Sequence, residues 1–272
     1  MVAIHRFDMG SVPKGSVIVC TARRNSGKTV LMRDVMYHLS RGKGIDFCLA
    51  MTPTVSSSDM LKKHMPASCV WPTLELGVIE KLLATQRDLL QQKGKRPRDV
   101  LLLLDDLSYD AKAFRAKGNV LGDLWRNGRH AHVTVICTCQ AALDLGPDLR
   151  GNTDVVFALK EPILANRRKL HEAYFGQLDF ASFNACFEKA TSDYGALVLN
   201  NTLPESDVEA CWGWYRASLD LPPFRCCADV VYKLERERRK KQEEEGGAGA
   251  KVVVHVPASG SQRPRNTIEV CA

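Results

Sequence analysis

One stretch near the amino terminus, VIVCTARRNSGKTVL at positions 17–31, constrains the fold more than any other. Its first residues are apolar and mostly β-branched, which predicts a buried strand, and the run KTVLMRDVMYHL has apolar residues at helical spacing. The segment between them nearly matches G-x-x-x-x-G-K-[ST], a loop whose backbone amides bind phosphate at the start of a helix. The first glycine of that pattern is replaced by Ala22. The strand–loop–helix context favours a phosphate-binding loop over a chance Gly-Lys-Thr at a helix start.

Each residue type in this loop has an expected contact. Gly27 lets the backbone approach the phosphates, Lys28 reaches the terminal phosphates of ATP, and the Thr29 hydroxyl binds Mg²⁺. Alanine at position 22 is unfavourable only if that position requires a positive φ angle. The residues predicted to bind the nucleotide are Ala22, Arg23, Asn25, Ser26, Gly27, Lys28 and Thr29.

Two further apolar runs end in polar residues that belong beside this loop, because ligands bind at the carboxyl ends of parallel strands. VLLLLDDLS ends in Asp105, predicted to hold Mg²⁺ through its water shell, and Asp106, predicted to polarise the attacking water. If Asp106 does not act on the water, Glu161 is the next candidate. VTVICTCQ ends in Gln140, which is predicted to contact the γ-phosphate or its water.

Strand and helix patterns alternate along most of the chain, which predicts an α/β fold with a mostly parallel sheet covered by helices on both faces. The predicted strands are 16–20, 45–51, 100–105, 133–139, 155–160 and 195–200. The predicted helices are 28–40, 74–92, 119–127, 164–175, 180–189 and 205–218. We therefore expect an ATPase domain at 1–234 and a disordered tail at 235–272, which is charged and rich in Gly, Pro and Ser.

Composition limits the possible classes of protein. No run of about 18 uncharged apolar residues occurs, so no membrane-spanning segment is expected. The ten cysteines form neither CxxC pairs nor zinc-type spacings with histidine, which indicates free thiols in a reducing compartment. The formal net charge of +7 is compatible with a nucleic-acid partner.

Several segments, in their order along the chain, resemble the genome-packaging ATPases of the nucleocytoplasmic large DNA viruses (the poxvirus type). That group is a branch of the FtsK/HerA superfamily of P-loop NTPases. The resemblance covers about residues 15–225 and includes two departures, Ala22 in the loop and Gly151 in an Arg-x-Asn-x-Asp segment. The similar segments are ARRNSGKTVLMRDVMYH, LLLLDDLS, WRNGRHAHVTVICTCQ, LRGNTDVVFALKE and CWGWYRA.

The resemblance implies a RecA-like fold and an ATP-driven motor that moves double-stranded DNA into a capsid without sequence preference. It also implies a homo-oligomer, expected to be a hexameric ring, with capsid or portal-vertex proteins as partners. Such a motor acts in the host cytoplasm or viral factory and can be virion-associated. Arg129 is the expected arginine supplied to a neighbouring subunit's ATP, with Arg126 and Arg150 as alternatives. Two other functions stay open: a nucleotide-binding assembly protein with little turnover, and a small P-loop kinase.

Overall fold

The computed structural model describes residues 3–107, 110–203 and 207–246. Its strands form one nine-stranded sheet in the order β1-β9-β8-β7-β2-β6-β5-β3-β4. Among the described residues, β8 is the strand that runs antiparallel to its neighbours, and every other pairing is parallel. The strands are β1 His5–Arg6, β2 Val17–Thr21, β3 Phe47–Met51, β4 Val70–Trp71, β5 Val100–Asp105, β6 Val133–Cys139, β7 Val155–Leu159, β8 Ala196–Asn200 and β9 Trp212–Tyr215.

Helices cover both faces of this sheet. One face of β2 packs through Ile18 and Cys20 in the same hydrophobic cluster as α1, while Val17 and Val19 belong to the cluster that contains α3 and α5. The helices are α1 Lys28–Lys43, α2 Val55–Leu61, α3 Leu76–Gln91, α4 Ala111–Arg115, α5 Val120–Asn127, α6 Pro147–Gly151, α7 Leu164–Tyr174, α8 Phe180–Ala190, α9 Val208–Cys211 and α10 Asp229–Gly246. The predicted architecture of a mostly parallel, doubly covered sheet is confirmed.

The central strands match their predicted positions closely. The predicted bounds 100–105 and 133–139 agree with β5 and β6, whose residues are all buried. Runs of this kind are buried on both faces, so they are mostly apolar and stand out in the sequence. β6 lies between β2 and β5, and Thr138 is paired with Cys20 of β2 on one side and with Asp105 of β5 on the other. The carboxyl ends of these three parallel strands therefore lie side by side.

One predicted helix is wrong in its second half. The sequence pattern predicted a helix over 205–218, but α9 ends at Cys211 and the WGWY run forms β9 instead. β9 pairs with β8 on one side and with β1 on the other. Aromatic residues favour strands, and these two long-range pairings override the weak helical spacing of the segment.

The chain divides into a compact unit that ends at Glu235 and a second unit that begins at Arg236. Residues 236–246 of the predicted tail are helical and complete α10, which contains the charge block ERERRKKQEEE. The remainder, 247–272, lies outside the described residues, so the predicted disorder there stays a prediction. No helix in the described parts of the chain is long and apolar enough to span a lipid bilayer.

Candidate active site

The loop between β2 and α1 runs from a buried strand directly into the amino terminus of a helix. Its described left-handed residues are Asn25, with φ 62°, and Gly27, with φ 93°. Ala22 is not among the residues with positive φ; it is 3% exposed, and its N–H donates to the Cys139 carbonyl at 3.0 Å. Alanine is therefore accommodated where the motif has glycine, because this position does not need glycine's conformational freedom. Asparagine is among the residues that tolerate the left-handed region at position 25.

Three side chains from three separate elements meet beside this loop. The Lys28 ammonium lies 3.1 Å from Oδ1 of Asp106, and the Gln140 amide donates to the same oxygen at 2.7 Å. Burial raises the pKa of Asp106, but the Gln140 hydrogen bond and the Lys28 charge outweigh it and hold that pKa below its ordinary value. Asp106 is therefore an ionised carboxylate at neutral pH, held between a cation and an amide.

The two consecutive aspartates point to different surroundings. Asp105 is 1% exposed, and its oxygens accept hydrogen bonds from the Thr138 hydroxyl at 2.7 Å and the Thr52 hydroxyl at 3.0 Å. Asp106 has φ 54°, and its N–H donates to the same Thr138 hydroxyl at 3.0 Å. The left-handed turn at Asp106 directs its carboxylate to Lys28, while the Asp105 carboxylate is buried against Thr138 and Thr52.

A further acid, Asp144, holds the turn that follows β6. Its carboxylate accepts the N–H groups of Gln140 at 3.0 Å and Ala141 at 2.8 Å, which fixes the Gln140 backbone where the strand ends. Asp144, Thr138 and Thr52 were not identified from the sequence. Asp144 carried a usable signal, because a short polar side chain just after a strand commonly caps backbone N–H groups; the two threonines carried none.

A cleft of about 610 Å³ opens at this edge. It is lined by Gln140 and Glu161 together with the loop residues Arg23, Arg24, Asn25 and Ser26. The Glu161 carboxylate lies 3.8 Å from the Arg23 guanidinium, so it contacts the loop rather than the Lys28–Asp106 pair. The donor set fits ATP with Mg²⁺, because backbone and basic groups surround the loop and hydroxyl and carboxylate oxygens are the ligands Mg²⁺ prefers. Thr29 is exposed at the first turn of α1.

Arg129 lies at the amino ends of the central strands, opposite the ends that carry Asp106 and Gln140. A methyl group added to Gly15, which precedes β2, would lie 2.6 Å from the Arg129 Cα, and the Arg129 charge acts on Asp154, which precedes β7. The length of β6 therefore separates Arg129 from Gln140 by about 20 Å. Arg129 is exposed, and no hydrogen bond or ion pair joins its guanidinium to another residue in the described part of the chain.

The two alternative arginines have intramolecular partners. Arg126 forms an ion pair with Asp148, and Arg150 donates to the Leu145 carbonyl at 2.6 Å. The Arg-x-Asn-x-Asp segment that contains Arg150 is joined to the amino end of β2, since Asp154 accepts the Val17 N–H at 2.7 Å. A methyl group at Gly151 would meet no atom within 4 Å, so this departure leaves the segment's packing unchanged.

Comparison with known proteins gives relatives from large DNA viruses. An uncharacterised protein of Acanthamoeba polyphaga mimivirus is 27% identical over 219 residues, covering 78% of this chain and 76% of its own length. An uncharacterised protein of Invertebrate iridescent virus 6 is 29% identical over 202 residues, covering 74% of this chain and 76% of its own. No protein-family model matches the sequence.

Solved structures share the fold at low identity. The DNA-packaging ATPase of Sulfolobus turreted icosahedral virus matches with a TM-score of 0.53 and 15% identity, covering 76% of this chain and 100% of its own. The genome packaging NTPase of Sulfolobus turreted icosahedral virus 2, in complex with ATP-gammaS, gives 0.51 and 16%, covering 75% and 98%. The type VII secretion ATPase EccC of Thermomonospora curvata gives 0.51 and 13%, covering 80% and 28%.

These matches confirm the resemblance drawn from the motifs: the chain has the fold of the P-loop genome-packaging NTPases, and its relatives are proteins of nucleocytoplasmic large DNA viruses.

Proposed function

We propose that this chain is an ATPase that moves double-stranded viral DNA into a capsid. The observation that carries the proposal is the meeting of Lys28 and Gln140 on one oxygen of Asp106, beside the loop that nearly matches a phosphate-binding motif. These groups are what phosphoryl transfer to water requires: a cation for the phosphates, a carboxylate for the water and an amide between them. Solved proteins of this fold include viral genome-packaging NTPases in complex with ATP analogues, which supports the same substrate here.

Each residue of the site has one part in hydrolysis. Without nucleotide, Lys28 and Asp106 neutralise each other at 3.1 Å. The phosphates of ATP compete for the Lys28 ammonium, which leaves the Asp106 carboxylate to accept a hydrogen bond from the attacking water. Gln140 holds that carboxylate in place and lies where it can contact the water or the γ-phosphate. The Thr29 hydroxyl, and Asp105 through water, would hold Mg²⁺, which would supply neutralising charge for the phosphate oxygens.

The position of Arg129 supports a ring. A cation about 20 Å from Gln140 along β6 cannot reach the γ-phosphate of its own subunit. In a closed ring with head-to-tail contacts, the surface of one subunit that carries Arg129 can face the phosphate-binding loop of the next. Arg129 then acts in trans, where an arginine stabilises the charge that develops on the transferred phosphoryl group.

Double-stranded DNA is the proposed cargo, bound through its backbone in the ring's pore. The chain has a net charge of +7 and no evident base-reading motif, which supports binding that is independent of sequence. Such binding releases counterions, so affinity should fall steeply with salt. Capsid or portal-vertex proteins, in an infected host cell, are the partners that such a motor requires.

The test is the ATPase rate of the purified protein with and without double-stranded DNA of two unrelated sequences. We expect stimulation by both, which weakens as salt is raised, and no turnover in Lys28→Ala at matched folding. Turnover that DNA does not change would favour a P-loop kinase, which would transfer phosphate to a small acceptor. ATP binding without turnover would favour an assembly protein.

A further inference from the structure

A second cavity lies beside the phosphate-binding loop and shares Asp193 and Tyr194 with the cleft that Gln140 lines. Its volume is about 420 Å³, and it begins at Gly27 and the first turn of α1. Its walls are mostly apolar and come from α1, the end of β7, the turn before β8 and the segment after β9. The residues that carry the argument are Val30, Leu31, Leu159, Tyr194, Arg216 and Leu219.

Tyr194 is an unusual residue for this position. Its side chain is 71% exposed, although tyrosine is a large and partly apolar residue. It has φ 56° and follows Asp193 with φ 48°, so two consecutive residues other than glycine are left-handed. A methyl group placed on Gly27 would lie 3.5 Å from the Tyr194 ring, which puts the ring directly beside the phosphate-binding loop. Backbone strain that holds an aromatic ring in the open commonly marks a ligand contact.

The turn that carries Tyr194 is fixed from outside. The Arg216 guanidinium lies 3.0 Å from the Asp193 carboxylate, and the Gly195 N–H donates to the Ser192 carbonyl at 3.0 Å. A methyl group at Gly195 would lie 2.2 Å from the Ala190 carbonyl oxygen, so a residue with a side chain cannot fit at this position. The fold therefore fixes the backbone that carries Tyr194, and no stacking of its ring on another ring occurs among the described residues.

The opposite wall is fixed to α1 by three contacts. The buried carboxylate of Asp34 accepts the Tyr215 hydroxyl and the Ser218 N–H, the latter at 2.9 Å. Arg33 donates to the Leu219 carbonyl at 2.7 Å, and the Leu219 side chain is 72% exposed. Both walls are thus formed before any ligand arrives, which lowers the cost of binding.

We propose that this cavity binds the base of the nucleoside triphosphate, with Tyr194 stacked on its face. The proposal rests on the proposed ATPase function, because that function fixes the direction of the ligand. The γ-phosphate must face Asp106 and Gln140, and we place the nucleoside toward Gly27 and Tyr194, where this cavity begins. The cavity is continuous with the phosphate site at Gly27 and has the apolar walls that a base requires.

The test compares binding of ATP and of inorganic tripolyphosphate, each with Mg²⁺, by calorimetry. In Tyr194→Gly the ring is lost while glycine accepts the left-handed backbone, so Tm should not fall. ATP affinity should fall about ten- to hundredfold, the range for losing one base stack, while tripolyphosphate affinity stays unchanged. Tyr194→Phe keeps the ring and should bind ATP as the native chain does.

Lys28→Ala separates a failure of this proposal from a failure of the proposed function. It should weaken ATP and tripolyphosphate equally, because both share the phosphate contacts. If Lys28→Ala binds both normally, the loop is not the phosphate site and the ATPase proposal fails. If Lys28→Ala behaves as expected but Tyr194→Gly keeps its ATP affinity, or loses both ligands alike, the base lies elsewhere and this inference is overturned.

Discussion

Replacing Arg129 with alanine tests the ring mechanism most directly. The guanidinium is exposed and makes no hydrogen bond or ion pair within the described chain, so Arg129→Ala should fold and bind ATP normally. It lies about 20 Å from Gln140 along β6, so any effect on hydrolysis has to come through a neighbouring subunit. Arginines supplied in this way contribute about 10³–10⁵ in rate, which corresponds to about 4–7 kcal/mol of transition-state stabilisation.

The assay mixes Arg129→Ala with Lys28→Ala at concentrations where subunits assemble and exchange. An active interface needs an intact loop from one subunit and an intact arginine from the next. In a random equal mixture about one interface in four has both, because each requirement is met with a chance of about one half. If each active site hydrolyses ATP independently of the others, the mixture should regain about a quarter of the native ATPase rate, although each variant alone is nearly inactive.

Two results would contradict this reasoning. No recovery in a mixture that demonstrably co-assembles would mean that Arg129 does not act in trans. Native turnover by Arg129→Ala alone would mean that another cation serves the site. Arg126→Ala is the matched control, since it removes a neighbouring arginine that is already paired with Asp148. Loss and recovery in that variant instead would move the role to Arg126.

The remaining predictions concern three carboxylates. Asp106→Asn should keep ATP binding but lower kcat by about 10²–10⁴, because only the polarisation of water is lost; a normal kcat would place the base elsewhere. Asp105→Asn should weaken Mg²⁺-dependent ATP binding and lower Tm, since a buried amide cannot accept from both threonine hydroxyls; calorimetry and thermal melts measure both effects. Burial raises the pKa of Asp99, but hydrogen bonds from Lys14 and His132 outweigh it, so that pKa lies below its ordinary value. Because the folded-state pKa is depressed, ionised Asp99 stabilises the fold above the unfolded pKa of about 3.9, and this stabilisation is lost as pH falls through the folded value. Asp99→Asn should therefore cost about 1–3 kcal/mol in urea unfolding at pH 7 and progressively less below pH 4, whereas an equal cost at both pH values would refute the assignment.

The sequence alone determined the central strands and the loop. Strands buried on both faces are mostly apolar along their length, so β5 and β6 were predicted with their observed bounds. The loop was also predictable, because its glycine, lysine and helix start are local in sequence and their chemistry does not depend on distant residues. Ala22 needed the structure only to show that its backbone is not left-handed.

The sequence predicted Asp106 and Gln140 beside the loop, but only the tertiary structure decided which of their atoms meet. Lys28, Asp106 and Gln140 come together because β6 lies between β2 and β5, an order fixed by long-range pairing that no local pattern reports. The tertiary structure also places Arg129 before the amino end of β6, far from Gln140, and gives Arg126 and Arg150 partners within the chain. The role proposed for Tyr194 could not be predicted from the sequence for a related reason. Its exposure, its left-handed backbone and its position beside Gly27 all arise where segments far apart in sequence pack together.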